Sequence, residues 1–81
     1  MNTNDQNTFQ TSDIFLASTL TCLGHDLIEV DTTNPKRVGF CFDSNNKLQE
    51  DIQRFWRGKI LVEPKRLFDS QRFLKARIYS S

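Results

Sequence analysis

The sequence predicts a small single α+β domain of order β-α-β-β-α-β-α. Its first six elements follow the ferredoxin-like split βαβ plan, an antiparallel sheet backed by two helices, with one more helix at the C-terminus. Three observations carry this expectation. Apolar residues recur at helical spacing in three segments, and they alternate with period two in two neighbouring segments joined by a polar turn. A short apolar, β-branched run lies between the second and third helical segments. At 81 residues and 37% hydrophobic content, seven phenylalanines among them, the chain holds one thin core.

The opening "MNTNDQNT" has no aliphatic residue after Met1, so residues 1–8 are expected to be a disordered lead-in and residues 9–81 the domain. Phe9 within "NTFQT" is the sole mark of a first strand. "TSD" (Thr11–Asp13) supplies oxygens for the unpaired amides of a first helical turn. Leu16, Leu20 and Leu23 then recur at helical spacing, and Gly24 ends the run, which places a helix over Ser12–Leu23. In "HDLIEVD", Ile28 and Val30 alternate with Glu29 and Asp31; in "RVGFCFD", Val38, Phe40 and Phe42 alternate with Arg37, Gly39, Cys41 and Asp43. The intervening "TTNPK" is turn chemistry, so the pair reads as a β-hairpin.

Asp43, Ser44 or Asn45 can cap the second helix, whose stripe of Leu48, Ile52, Phe55 and Trp56 is expected to face the core. Lys47–Asp51 and Glu50–Arg54 are i, i+4 pairs assigned to its exposed side, and Gly58 ends it. "KILVE" (Lys59–Glu63) reads as a buried strand, the fourth of the sheet. Pro64 suits the first turn of a third helix running to about Tyr79, with Leu67, Leu74 and Ile78 inward and Phe68, Phe73 and Tyr79 on its shoulders.

Several function classes find no support. No apolar run approaches the ~20 residues of a membrane-spanning helix, and the N-terminus lacks the basic and apolar regions of a signal peptide, so a cytoplasmic location without membrane contact is the expectation. Cys22 and Cys41 read as free thiols in a reducing compartment. With His25 and Asp43 they do not match the spacing of a zinc finger, and no metal or cofactor is expected. His25 follows a helix-ending glycine and reads as a cap or turn residue. No nucleophile motif, phosphate loop or acidic metal cluster accompanies it, so no enzyme is expected. Phe40 and Phe42 have the two-residue spacing of base-stacking aromatics in RNA-recognition domains. They share a face with Val38, however, and the basic-glycine-aromatic motif is missing, so both are expected in the core.

The charge distribution points further. Residues 1–43 hold six acids against two cations, a balance of −4, while residues 44–81 hold nine cations against four acids, a balance of +5. The candidate nucleic-acid-binding residues are the eight cations Arg54, Arg57, Lys59, Lys65, Arg66, Arg72, Lys75 and Arg77, which would attract phosphate without sequence preference. The function expected is that of a small non-enzymatic accessory protein touching nucleic acid through its basic C-terminal half. The alternative is a protein-interaction module, a homodimer or an adaptor, in which acidic and basic halves pair and a thin core leaves apolar surface such as Ile14, Phe68 or Phe73 for a partner.

Taken in order, "TSD", "GH" (Gly24–His25), "VGFCF", "FWRG" (Phe55–Gly58) and "RFLKARIY" (Arg72–Tyr79) resemble a family of small prokaryotic and phage domains of unknown function. The resemblance spans nearly all of Phe9 to Tyr79 and implies a compact stand-alone domain. It brings no activity, ligand or site residue with it.

Overall fold

The structure, a computed structural model, describes residues 7–80. Three strands and three helices follow in the order β1 (Thr8–Thr11), α1 (Ile14–Cys22), β2 (Leu27–Asp31), β3 (Gly39–Asp43), α2 (Asn46–Trp56) and α3 (Pro64–Ser80). Most of the lead-in expected over residues 1–8 lies outside the described residues, and Thr8 is already in β1.

Local chemistry sets the helix ends. The Asp13 carboxylate accepts from the amides of Phe15 (2.9 Å) and Leu16 (3.2 Å), and Asn45 Oδ1 accepts from Leu48 N–H (2.8 Å). Both α1 and α2 end on a glycine in the left-handed region, Gly24 (φ 95°) and Gly58 (φ 71°). In each case the glycine amide bonds back three residues and the following amide five, to Thr21 and Leu20 in α1 and to Phe55 and Arg54 in α2. This is the Schellman pattern, which satisfies carbonyls the helix itself leaves open.

The strands form one antiparallel sheet in the order β1-β3-β2. Phe9 faces Phe42 and Thr11 faces Phe40 on one side of β3, while Leu27 faces Phe42 and Val30 faces Phe40 on the other. These rows supply the sheet's share of the core, which closes with Leu16, Ala17 and Leu20 of α1, Leu48 and Ile52 of α2, and Leu74 of α3. Removing Phe40 and Phe42 from water contributes on the order of 1.5–3 kcal/mol apiece. Helix α1 packs against both α2 and α3, which explains why five successive residues, Leu16 to Leu20, are buried. The Cα trace measures 37 × 30 × 18 Å, and the shortest dimension suits one sheet under one layer of helices.

Four expectations are corrected. First, "KILVE" is not a strand, and Leu61 is 95% exposed. Its two ends are already committed: Lys59 N–H closes α2 onto the Arg54 carbonyl (2.9 Å). Glu63 opens α3, accepting from Arg66 N–H with its carboxylate (3.0 Å) and from Leu67 N–H with its carbonyl (3.1 Å). The three residues between, Ile60 to Val62, pair with no strand among the described residues. The arrangement is therefore α+β with three strands, without the fourth strand of the split βαβ plan.

Second, Trp56 is 63% exposed and not core; its ring stands edge to face with that of the half-buried Phe55, with centroids 4.9 Å apart. The buried arc of α2 is shifted toward Asp51, which is itself enclosed, so the Lys47–Asp51 pair does not lie wholly in solvent. Third, a register shift between Leu27 and Glu29 turns Ile28 outward, so that Leu27 and Val30, not Ile28 and Val30, share the core face. Fourth, His25 is more than a turn residue, because its side chain is buried against Asp51.

Candidate nucleic-acid interface

Helix α3 turns Leu74 fully inward and Leu67, Ser70, Gln71 and Ile78 partly so, which leaves the remainder of its circumference to solvent. On that exposed side Phe68, Arg72, Lys75 and Tyr79 follow at intervals of four, three and four, the spacing of one helical stripe. Arg66, Phe73 and Arg77 make a second stripe on the other flank, with the Arg77 guanidinium 5.8 Å from the centre of the Phe73 ring. Asp69 lies between, bound to Lys65 (3.3 Å) and Arg72 (3.6 Å).

All eight cations singled out from the sequence are exposed, but they do not form a single cluster. Lys65 and Arg72 border an open hollow floored by Phe68 and Pro64 and flanked by Glu63, Asp69 and Gln71. Arg54 and Arg57 border a second, more polar hollow on α2 with Glu50 and Gln53. Lys59 stands on the connection between the two helices. The acidic residues of the N-terminal half lie elsewhere: Glu29 and Asp31 in β2, Asp43 at the end of β3 and Asp26 just before β2. The Asp31 carboxylate accepts from the hydroxyl and the amide of Thr33, and these bonds hold its pKa below the ordinary carboxylate value.

Sequence reasoning named Phe68 and Phe73 as apolar surface open to a partner; what it missed is the exposure of Trp56 and of Tyr79. Tyr79 is 83% exposed, and Phe68 and Phe73 are also open to water. Their position beside cations at helical spacing was the available signal. Exposed aromatic faces next to guanidinium and ammonium groups can stack on bases while the charges meet phosphates. Phe40 and Phe42, by contrast, are buried as expected, so the sheet presents no stacking platform of the RNA-recognition kind.

The interior holds another polar constellation. The Schellman end of α1 fixes His25 in place, and its Nε2–H donates to Asp51 Oδ2 at 2.7 Å. Lys47 Nζ lies 3.4 Å from the other carboxylate oxygen. The side chains of His25 and Asp51 are only 8% and 2% exposed. Burial pushes the Asp51 carboxyl up, but the bond from His25 and the charge and bond of Lys47 outweigh it and hold the pKa below its ordinary value. The pair joins the end of α1 to the middle of α2 and serves as a structural clamp. Nearby in sequence, the buried Ser18 hydroxyl has no hydrogen-bond partner among the described residues.

Among the described residues no group of three or more histidine, cysteine, aspartate or glutamate side chains is placed to hold a metal ion. No helix among them is long and apolar enough to cross a membrane. The profile of a family described as a domain of unknown function (DUF5659) matches residues 6–80. No curated protein and no solved structure matches the chain.

Proposed function

Given that the chain belongs to the family of domains of unknown function DUF5659, we propose that it is a small non-enzymatic accessory protein that contacts single-stranded nucleic acid through the exposed side of α3. The observation that supports this reading is the joint exposure of Phe68, Phe73 and Tyr79 with Arg66, Arg72, Lys75 and Arg77 on one helix. Cations alone on a helix are common and suit any solvated surface. Large aromatic rings left in water are costly, and base stacking recovers about 1–3 kcal/mol for each base. Arg54, Arg57 and Lys59 extend the positive surface beyond α3 and would meet the backbone of a longer strand.

Binding of short single-stranded and duplex oligonucleotides, measured across a salt series, tests the reading. Changing Arg66, Arg72 and Lys75 to Glu is expected to abolish binding, and changing Phe68 and Tyr79 to Ala to weaken the single-stranded complex selectively. Absence of binding at low salt, or binding indifferent to both sets, would falsify it. A second reading, a docking surface for another protein, is favoured by the exposure of Phe15, Trp56 and Leu61 outside the two stripes of α3. Retention of a partner by the Glu variant together with its loss in Trp56→Ala would support that reading instead.

A further inference from the structure

We propose that the open side of the sheet receives helix α3 of a second copy, so that copies associate head to tail. The contact uses the surface proposed for nucleic acid, but it needs no nucleic acid to form and is tested without any. Side chains alternate along a strand, so with Phe40 and Phe42 turned to the helices, Gly39, Cys41 and Asp43 face the other way. The register puts Gln10 and Glu29 beside Cys41, and Asp31 beside Gly39, on that same side. Gln10, Glu29 and Asp43 are exposed, so no described helix covers it. The face carries three carboxylates, and no strand residue on it is a cation. Thr33 steadies one of them, Asp31, with its amide and its hydroxyl.

The chain itself carries the complement. On the exposed side of α3, Phe68 and Tyr79 bracket Arg72 and Lys75. At 1.5 Å per residue the two rings stand about 16 Å apart along the axis, close to the length of about 17 Å of a five-residue strand. Three strands span about 10 Å from first to last, so a helix about 10 Å wide covers them. The middle of the face is low: Cys41 is small, and the Gln10 side chain lies across Gly39, where any Cβ would collide with it. Rings can rest there while Arg72 and Lys75 meet Glu29, Asp31 and Asp43, and oppositely charged surfaces draw the copies together. Because the sheet and α3 are different surfaces, the contact is heterologous. Each added copy still offers one of each, and association continues past two. One helix on three short strands is a small contact, so the association expected is weak and concentration-dependent.

Sedimentation of the full chain from micromolar to millimolar concentration at low salt is the test. The mass is expected to rise from 9.5 kDa past twice that value, and to fall back in molar salt, where charges are screened beyond about 3 Å. Glu29→Lys and Lys75→Glu, both at exposed positions, are each expected to associate at least about tenfold more weakly with an unchanged circular dichroism spectrum. Carried together in one chain, the two changes restore opposite charges across the contact, and association is expected to return. Glu50→Lys makes the same change in net charge as Glu29→Lys, but on α2, and is expected to associate like the unaltered chain. A monomer throughout, a mass that levels at two copies, equal losses from Glu29→Lys and Glu50→Lys, or a doubly changed chain that stays weak overturns the proposal. If Glu29→Lys does not fold, Lys75→Glu and Phe68→Ala decide, and association unchanged in both overturns it equally.

Discussion

Burying a carboxylate is expensive unless other groups hold it ionised, and Asp51 is enclosed more completely than any other acid among the described residues. Its partners decide the sign of its contribution. Because the folded-state pKa lies below the unfolded one, the clamp adds stability that is fully present above the unfolded value of about 4 and is lost as pH falls through the folded value. Acid unfolding followed by circular dichroism should therefore show stability declining from about pH 4 downward, and Asp51→Asn should flatten that limb. At neutral pH His25→Ala removes the Nε2–H donor and leaves the charge buried with Lys47 alone, for an expected loss of about 3 kcal/mol. A loss below about 1 kcal/mol would mean that water reaches Asp51 and that the clamp is not structural.

At the scale of elements, the segment between α2 and α3 separates pattern from context. Ile60, Leu61 and Val62 have strand composition, but a strand needs a partner as well as composition, and the residues on either side are held by the ends of α2 and α3. Leu61→Asn should therefore leave the melting midpoint nearly unchanged, within about 0.5 kcal/mol of stability. As a buried strand residue the same change would cost about 2–5 kcal/mol, so thermal unfolding distinguishes the two cases sharply. The same contrast explains what was legible. The helices and the β2–β3 pairing could be read because their signals are local: caps at Asp13 and Asn45, glycines at 24 and 58, and alternation around Phe40 and Phe42. β1 was legible only as a lone Phe9, and its strand status depends on Phe42 across the sheet. The His25–Asp51 bond spans 26 positions, and no local pattern around either residue announces it.

For the molecule as a whole, the charge asymmetry in sequence is partly one in space, with acids around β2 and β3 and cations on α3 and the end of α2. The cations were legible because ionisation belongs to the residue itself; Phe68 and Phe73 were legible as open surface, whereas Trp56 was not, because periodicity leaves the edge of a helical stripe open to either fate. Asp69 runs against the local trend. Sitting between Lys65 and Arg72, it offsets part of the positive field beside Phe68, where the proposed function needs it. These ion pairs are exposed, so each is worth well under about 1 kcal/mol and their loss should scarcely affect folding. Asp69→Asn frees both cations for phosphate, and on the proposed function it should tighten oligonucleotide binding about two- to fivefold at low salt while steepening the salt dependence. Asp43→Asn makes the same change in net charge at the far end of β3 and serves as the control. Equal gains from both would show that binding follows net charge alone and that α3 is not its seat.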